Sequence, residues 1–521
     1  MVQEGVPSEG CSASLSGSKL WVVKTSLVFE ALTIQDIVLE KGLQLDPTID
    51  IVGLPDKAVS EAKERVRSAM SSMSLALPSK RITINLSPAD IIKEGSHFDL
   101  PIALALMAAM DVIPQDEIAR QVALGELSLD GKLVPVIGTL PAALAAAQAD
   151  CNLVCPVDCG AEAAWVGAVQ VIAPGSLLEC MNHFRGRQIL PPAQPGEMIA
   201  EQNTRCLSDV KGQERAKRAL EIAAAGRHHL FFVGSPGSGK SMMAARIPGL
   251  LPALEPEEAL ETSMIHSLAG LLSSGGISRT RPYRDPHHTA SMAAIVGGGR
   301  GAKPGEISLA HNGVLFLDEL PEFTRQVLET LRQPLETGSV MVARANNHVT
   351  YPCRFMLISA ANPCRCGYLA DAERACARVP ICGQDYLGKI SGPLMDRFDL
   401  RIEVPPVSMT DLTLPDDGDT SQTIAARVAT ARQIQRARFA EHPDLRQNAD
   451  AEGAQLEEIA TPESEGAELL NKAADKFKLS ARGYHRILRV ARTIADLAGS
   501  ETVQKPHIAE AISYRLVNAV P

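Results

Sequence analysis

A complete phosphate-binding pattern is the clearest chemical feature of this sequence. It matches G-x-x-x-x-G-K-[ST] and consists of Gly234, Ser235, Pro236, Gly237, Ser238, Gly239, Lys240 and Ser241. Its glycines let the backbone turn N–H groups toward phosphate oxygens, and a helix that begins near Lys240 adds its positive end. Lys240 is expected to reach the β- and γ-phosphates, and the Ser241 hydroxyl to bind Mg²⁺. The pattern therefore predicts a site for ATP and Mg²⁺.

Two adjacent carboxylates, Asp318 and Glu319, end the apolar run Val314–Leu317. A buried parallel strand presents such residues at its carboxyl end, where ligands of parallel sheets bind. Asp318 is expected to hold Mg²⁺ through water, and Glu319 to polarise the water that attacks the γ-phosphate. An apolar run followed by Asp-Glu is common by itself, but together with the phosphate-binding pattern it predicts ATP hydrolysis.

Asn362 follows a third apolar run, Arg354–Ala360. Its amide would lie beside the carboxylates and could orient the water between Glu319 and the γ-phosphate. The alternative is an Asx-turn before Pro363, since Asn side chains often bond their own backbone in turns.

Four cysteines lie close together after Asn362, namely Cys364, Cys366, Cys376 and Cys382. Their spacing allows a tetrahedral site of the kind that structural Zn²⁺ prefers, although it is not one of the common zinc-finger spacings. The segment holds few core-forming residues, so a metal would explain its order. Four reduced packing cysteines remain the alternative.

The elements that position these residues follow from turn residues and apolar periodicity. Glu214–Ala225 reads as a helix, and His229–Gly234 as the strand before the phosphate loop. Nearer the amino terminus, apolar runs that end in turn residues predict further strands, and Asp56–Met70 and Leu100–Met110 read as helices. The predicted strands are Leu20–Thr25, Ile49–Val52, Arg81–Leu86 and Asn152–Pro156.

Composition shifts divide the 521 residues into several parts. Pro- and Gly-rich or acidic stretches separate segments with core-forming patterns. The predicted parts are a mobile leader (1–18), an amino-terminal domain (19–175), a linker (176–206), a P-loop core (207–404), an acidic linker (405–422) and a helical domain (423–521).

The bulk composition limits the partners of the protein. The net charge is −10, and aromatic residues make up 4% of the chain. Contact with a nucleic acid must therefore be local rather than spread over a basic, base-stacking surface. No signal-peptide pattern and no apolar run of about 20 residues is present, which predicts a cytoplasmic protein that does not span a membrane. Disulfides among the eleven cysteines are not expected in that compartment.

Three longer runs make the sequence resemble a known family. They are Arg284–Thr289, Lys303–Gly313 and Ser391–Asp399. The core resembles the helix-2-insert clade of AAA+ ATPases, near the I subunit of magnesium chelatase, and the order of motifs is similar to the ComM/YifB-type family over nearly the whole chain. The resemblance implies an α/β fold with an AAA+ P-loop core and an all-helical lid, and it implies assembly into a ring, most simply a hexamer.

The resemblance assigns two arginines. Arg397 resembles the arginine finger that reaches the γ-phosphate of a neighbouring subunit and accelerates phosphoryl transfer roughly 10³–10⁵-fold. Arg482 resembles the sensor-2 arginine of the lid, which contacts the nucleotide within its own chain, although Arg486 or Arg489 could take that role. The alternative for each is a surface ion pair.

Two insertions resemble loops that project into the pore of such rings. One spans Ser291–Gly301 and carries Arg300, with Lys303 just beyond, and the other is a predicted hairpin, Gly338–Thr350, that carries Arg344 and His348. Glycines and a few cations suit phosphate contact without base readout. The alternative for the second insertion is an ordinary surface hairpin.

The amino-terminal domain resembles the proteolytic domain of Lon, an α+β fold shared with S5-like modules. Catalysis by Lon needs a serine activated by a lysine. Here His97 stands at the nucleophile position, with Ser96 one place early, and Gly138–Ala143 has no lysine where the base should fall. The resemblance therefore implies a domain without protease activity.

Three functions remain open from the sequence. The resemblance implies a ring-forming motor that acts on single-stranded or branched DNA, as a branch-migration helicase of natural transformation. The first alternative is an AAA+ protein remodeller that uses the Lon-like domain as a docking platform. The second is a magnesium-chelatase subunit, which the fused amino-terminal domain and the cysteine cluster disfavour. DNA stimulation of the ATPase separates the first two.

Overall fold

The computed structural model describes residues 20–27, 30–39, 48–87, 93, 95–198, 205–272, 276–299, 302–343, 348–369, 373–407, 419–442 and 445–515, with the backbone alone for 20–27, 30–39, 343 and 348. The chain forms two compact units. Unit 1 comprises Met1–Glu197 and Ser267–Ile277, and unit 2 comprises Met198–His266 and Ser278–Pro521. The predicted core and helical domains thus belong to one unit. The predicted leader lies outside the described residues.

Unit 1 contains a mixed sheet. Its strands are β1 (Leu20–Leu27), β2 (Glu30–Leu39), β3 (Thr48–Val52), β4 (Arg81–Ser87), β5 (Gln121–Ala123), β8 (Asn152–Val154) and β9 (Val171–Ile172), and β6 (Glu126–Leu127) pairs with β7 (Leu133–Val134) in a separate ribbon. Within the described part of unit 1 the sheet order is β3-β4-β2-β1-β5-β8-β9. The β1–β2 and β2–β4 pairs are antiparallel and the others are parallel.

The helices of unit 1 cover this sheet with apolar faces. Helix Lys57–Ser72 begins at Asp56, whose side chain accepts a hydrogen bond from Val59 N, as a good N-cap does. Every residue of helix Asp99–Ala109 is buried, which fits its almost wholly apolar sequence. The other helices are Gln115–Ile118, Thr139–Gln148, Val157–Ala163 and Leu177–Phe184, with 3₁₀ turns at Ser96–Phe98 and Ala164–Val166.

Helix Leu177–Phe184 differs from the sequence prediction, because it lies inside the range predicted as a linker (176–206). Its apolar residues Leu177, Cys180, Met181 and Phe184 are buried in the core of unit 1. The sequence has the amphipathic spacing of a helix here, but the prolines that follow it led to a predicted domain end at residue 175, before the helix.

Unit 2 is built on a parallel sheet of β10 (Leu230–Gly234), β11 (Tyr283–Arg284), β14 (Val314–Leu317), β17 (Met356–Ala361) and β18 (Leu400–Val404). The strand order in the described residues is β11-β14-β17-β10-β18. β10 comes first in the chain but lies between β17 and β18. The chain runs from β10 to β11 on one side of the sheet, and later crosses from β17 past β10 to β18 on the other side. Ligands of parallel sheets bind at the carboxyl ends beside such a reversal.

Two small antiparallel pairs extend from unit 2. One joins β12 (Gly297–Gly298) to β13 (Lys303–Pro304), and the other joins β15 (Ser339–Ala343) to β16 (His348–Pro352). The second pair confirms the predicted hairpin. The pairs contact each other, since Tyr351 Oη donates a hydrogen bond to Ala302 O at 2.8 Å.

Helices complete unit 2. Those that flank its sheet are Glu214–Gly226, Lys240–Ala244, Pro256–Ala269, Met292–Val296, Glu306–Leu309, Arg325–Thr330, Pro334–Thr337, Ile381–Leu387 and Gly392–Met395. The carboxyl-terminal helices are Ser421–Arg438, Gly453–Ala460, Ser464–Phe477, Ala481–Leu497 and Lys505–Ser513. Apolar residues of both groups, such as Leu220 of the first and Ile487 of the second, share one core with Phe232. Among the described residues, no helix is long and apolar enough to cross a membrane.

Candidate functional site

The phosphate-binding loop connects β10 to helix Lys240–Ala244 at the carboxyl edge of the parallel sheet. Gly237 and Gly239 have φ angles of +77° and +89°, which side-chain-bearing residues rarely adopt. These two glycines therefore let the loop curve so that the helix N-terminus follows directly at Lys240. The context predicted for this pattern, a strand before it and a helix after it, is confirmed.

Lys240 is held inside the loop. Its Nζ donates hydrogen bonds to Gly234 O at 2.8 Å and Ser235 O at 2.9 Å, and it lies 3.3 Å from Asn362 Oδ1. Burial lowers the pKa of Lys240, while the carboxylates of Asp318 and Glu319 act in the opposite direction. The ammonium group is thus fixed at the sheet edge by weak carbonyl acceptors that a stronger anion would replace.

Ser241 and Asp318 form a second contact at the carboxyl edge of the sheet, beside that of Lys240. Ser241 Oγ donates to Asp318 Oδ2 at 2.6 Å, and Asp318 Oδ1 accepts from Glu319 N at 2.9 Å. A hydroxyl and a carboxylate oxygen this close provide the hard oxygen ligands that Mg²⁺ prefers. The residues present therefore fit the Mg²⁺ site that the sequence predicts.

Glu319 follows in a left-handed conformation, with φ of +50°. Half of its side chain is exposed. His288 Nδ1 lies 3.5 Å from Glu319 Oε2. No sequence pattern links His288 to this carboxylate, since the two residues meet only through the fold.

The carboxyl ends of β10, β14 and β17 therefore bring five predicted residues together. Lys240 and Ser241 come from the loop after β10, Asp318 and Glu319 from the end of β14, and Asn362 from the end of β17. The contact between Asn362 and Lys240 favours the site interpretation of Asn362 over an isolated turn.

Arg397 lies in a different place from these residues. It is 5% exposed, and its guanidinium donates to Arg332 O at 3.1 Å and to Pro393 O, and forms an ion pair with Glu336. Arg482 is 70% exposed at its side chain, and its Nη1 lies 3.5 Å from the same Glu336 oxygen. In this chain both predicted arginines thus face Glu336 rather than a phosphate.

The cysteine cluster is compact. The sulfur atoms of Cys364, Cys366 and Cys382 all lie within 4.8 Å of one another, and Cys364 and Cys366 are 3.0 Å apart. The pKa of Cys366 is lowered to about 6, chiefly by its hydrogen bond with Cys364 and also by Cys376. Three of the four predicted ligands thus lie close together, whereas Cys376 is not part of this group. Tetrahedral Zn–S bonds of about 2.3 Å place sulfurs about 3.8 Å apart, so Cys364 and Cys366 would have to separate slightly to share one Zn²⁺.

The cysteine loop also touches the phosphate-binding loop. Gly367, between the cysteines, has φ of +86°, and a Cβ atom built on it would lie 2.6 Å from ring atoms of Pro236. Only a residue without a side chain allows this approach. No local pattern predicts this contact, because neither motif contains residues that depend on the other.

The predicted DNA-contacting residues are only partly visible. Lys303 is exposed at the start of β13, and His348 begins β16. Arg300 and Arg344 lie outside the described residues. For the two insertions, the description is therefore based on strands β12, β13, β15 and β16.

Unit 1 contains a polar cluster, here called the Asp99 cluster, which consists of Arg65, Ser96, Asp99 and Glu126. Arg65 donates to both oxygens of Asp99, at 2.6 and 2.9 Å, and Leu127 N donates to Asp99 at 3.1 Å. Ser96 Oγ is hydrogen-bonded to the Glu126 carboxylate. Ser96 is thus engaged with Glu126 and Asp99 with Arg65, and Gly138–Ala143 contributes no lysine.

Comparison with protein families covers most of the chain. Residues 206–412 match the model described as magnesium chelatase, subunit ChlI, and residues 38–158 match the model of subunit ChlI of Mg-chelatase. Residues 418–515 match the model of the ChlI carboxyl-terminal part.

Individual relatives agree with this result. Competence protein ComM of Haemophilus influenzae is 44% identical over 477 residues, which cover 90% of this chain and 92% of that protein. The uncharacterized protein YifB of Escherichia coli is 41% identical over 93% of this chain and 94% of its own length. The magnesium-chelatase 38 kDa subunit of Rhodobacter capsulatus is 26% identical over 59% of this chain and 87% of that subunit.

Proposed function

Because the chain belongs to the magnesium-chelatase-like family that includes competence protein ComM and YifB, we propose that it is a ring-forming ATPase that does mechanical work on DNA. The meeting of Lys240, Ser241, Asp318, Glu319 and Asn362 at one sheet edge carries the proposal. Membership of the family supports ATP and Mg²⁺ as substrate and cofactor.

Each of these residues has a separate role in ATP hydrolysis. Lys240 exchanges its carbonyl partners for β- and γ-phosphate oxygens, which accept stronger, charge-assisted hydrogen bonds. Ser241 and Asp318 hold Mg²⁺, which neutralises charge on the phosphates when it is bound. Glu319 accepts the proton of the attacking water, and Asn362 orients that water. His288 keeps the Glu319 carboxylate turned toward the edge.

Arg397 and Arg482 act in the assembled ring. Arg397 reaches the γ-phosphate of a second copy, and Arg482, on the first turn of helix Ala481–Leu497, contacts the nucleotide of its own chain. The carboxyl-terminal helices then serve as the lid. An isolated chain is expected to hydrolyse ATP slowly, because it lacks a neighbour's arginine.

The two insertions supply the contact with DNA. Arg300, Lys303, Arg344 and His348 are the residues proposed to meet phosphates, and the exposure of Lys303 supports this role. The net charge of −10 restricts attraction to such local cations. The name of the Haemophilus influenzae relative, competence protein, supports natural transformation as the biological setting. Branch migration is the reaction proposed for that setting.

The amino-terminal unit serves assembly or DNA handling rather than proteolysis. Its Lon-like character stays a proposal, supported by the mixed sheet and by the position of the Asp99 cluster. Ser96 bonds a carboxylate instead of an amine, so no general base of the Lon type activates it.

The cysteine cluster is a structural Zn²⁺ site in this proposal, with Cys364, Cys366, Cys376 and Cys382 as ligands. Mass spectrometric metal analysis of the purified chain should find about one Zn²⁺ per chain. A Cys366→Ser variant should lose most of it, whereas Cys151→Ser, outside the cluster, should keep it. A metal-free wild-type chain purified without chelator would show that the four are packing cysteines.

The first experiment measures the steady-state ATPase rate with single-stranded, duplex, forked and four-way-junction DNA. Glu319→Gln serves as the blank, since loss of the base should lower turnover about 10²–10⁴-fold while ATP binding remains. Stimulation by single-stranded or branched DNA is expected, and it should weaken as salt rises.

Each other outcome has a distinct meaning. If no DNA changes the ATPase rate, the proposal of a DNA motor is wrong, and protein remodelling with unit 1 as the docking platform is favoured. Normal turnover by Glu319→Gln would reject the assignment of the base. Dependence on a porphyrin would indicate a chelatase subunit.

A further inference from the structure

Glu336 occupies a position that neither the motifs nor the proposed chemistry explain. It lies in the short helix Pro334–Thr337, which ends at Gly338 with φ of +65°. Hairpin strand β15 begins at the next residue, Ser339. The carboxylate is 44% exposed, and its Oε1 atom faces both Arg397 and Arg482.

Arg397 is fully engaged within its own chain. Glu336 pairs with Nη2, the Arg332 carbonyl accepts from Nε and the Pro393 carbonyl accepts from Nη1. The backbone of Arg397 is held as well, since its carbonyl oxygen accepts from Arg486 at 2.8 Å. Because the residue is 5% exposed, its guanidinium cannot meet a phosphate of a second molecule in this arrangement.

The partners of Arg397 differ in how much interaction free energy is lost when the guanidinium leaves them. The two backbone carbonyls accept hydrogen bonds from Nε and Nη1 and are neutral. Glu336 is the charged partner among the described residues that pair with Arg397. A guanidinium that leaves a carboxylate needs another anion, and a phosphate accepts the same forked hydrogen bonds. Glu336 and a γ-phosphate are therefore competing acceptors for one side chain.

We propose that Glu336 is a positioning residue that keeps Arg397 inside its own chain until the γ-phosphate bound by a second copy replaces it. The inference rests on the proposed ring-forming ATPase and on Arg397 as its trans-acting arginine. Arg482 shares the same oxygen, so one carboxylate restrains both arginines. The attachment of Glu336 to the base of β15 means that a shift of the hairpin also moves this carboxylate.

Assembly in the presence of ATP tests the competition directly. The readout is the protein concentration at which half of the chains are assembled, measured by sedimentation velocity with Glu319→Gln as the parent so that ATP persists. Adding Glu336→Gln frees Arg397, so the half-assembly concentration should fall about tenfold, the amount expected for one hydrogen bond to a charged group.

Glu329→Gln is the matched control, because Glu329 pairs with Arg332 nearby but touches neither Arg397 nor Arg482 in the contacts described for them. It should leave the half-assembly concentration unchanged. Placing Glu336→Gln on an Arg397→Ala parent should also have no effect, since the carboxylate then has no finger to restrain. A purely structural role for Glu336 would give the same change with or without Arg397.

The outcomes separate this inference from the proposed function. If the parent assembles with ATP but Glu336→Gln leaves the half-assembly concentration unchanged or raises it, the inference is wrong and the ring remains. If the parent never assembles, the proposed ring itself fails. If Glu336→Gln strongly lowers the melting temperature, Glu336→Asp replaces it as the test variant, because its shorter side chain weakens the contact with Arg397. Glu336→Asp must then lower the half-assembly concentration by a smaller amount, or the inference fails.

Discussion

The sheet edge of unit 2 and the Asp99 cluster of unit 1 use similar side chains in opposite ways. At the sheet edge, Ser241 and Glu319 are exposed and Lys240 is held by neutral carbonyl oxygens. In the Asp99 cluster, the side chain of Asp99 is fully buried, and both of its oxygens accept bonds from Arg65.

The difference lies in hydrogen-bonding capacity that is still available to a ligand. A buried carboxylate paired with a guanidinium and a backbone N–H has little capacity left, and removal of one partner is costly. A lysine bound to carbonyls, beside exposed oxygens, gains from the arrival of an anion. Similar residue types therefore indicate a binding site in one unit and an internal support of the fold in the other.

The largest expected effect is at Lys240. Lys240→Ala should weaken ATP binding by at least about 100-fold, because charge-assisted bonds to the phosphates are lost. The melting temperature should change little, since the lysine now contacts only weak acceptors. Titration calorimetry measures the affinity, and Lys472→Ala, on an exposed helix surface, is the control. Near-normal ATP binding by Lys240→Ala would remove the contrast between the clusters.

Asp99→Ala should show the reverse pattern. It removes the buried carboxylate that Arg65 binds with two hydrogen bonds, and the exposed Glu61, 3.9 Å away, cannot replace it. Unit 1 should therefore lose about 3–5 kcal/mol of unfolding free energy while ATP affinity stays at the wild-type value. Scanning calorimetry follows the unfolding transitions, and Asp116→Ala, an exposed acid of a nearby helix, controls for loss of charge. A variant with normal stability and weakened ATP binding would contradict the structural role of Asp99.

The smallest expected effect concerns pH and His97. Burial lowers the pKa of His97 to about 4, and its Nε2 has no hydrogen-bond partner among the described residues. The unfolded chain binds a proton near pH 6.5, so the stabilising contribution is complete above that pH and is lost as pH falls toward about 4. At about pH 5 the loss should be roughly 1–2 kcal/mol.

The measurement for His97 compares melting temperatures at about pH 7.5 and about pH 5 for wild type and His97→Gln. The variant should lose less stability on acidification. His229 in unit 2, whose pKa burial lowers to about 3, contributes equally to both proteins and cancels in the difference. Identical pH dependence in the two would show that the pKa of His97 is the same in the folded and unfolded states.

Much of the sheet-edge site could be predicted from the sequence because each part is a local pattern. The phosphate loop, Asp318 with Glu319, and Asn362 each follow an apolar run, and parallel strands bring their carboxyl ends to one edge. The ends of the predicted elements differ from the observed ones by one or two residues. The predicted strand His229–Gly234 is Leu230–Gly234 in the structure, and the predicted helix Asp56–Met70 is Lys57–Ser72.

The remaining contacts depend on packing between distant segments, which no local pattern encodes. His288 reaches Glu319, Gly367 reaches Pro236 and Glu336 reaches Arg397 only after the sheet has formed. The short strands β5 and β9 were not predicted, since runs of two or three apolar residues resemble loop sequence.

The contact between the two antiparallel pairs of unit 2 limits how these segments can vary. Tyr351 on β16 bonds Ala302, and a Cβ atom on Gly297 would lie 3.1 Å from Val342 of β15. An insertion between β12 and β13, or between β15 and β16, is tolerated only if these contacts are kept. Sequence change is therefore expected to concentrate between the paired strands and to be correlated between the two pairs, so that the two segments diversify together.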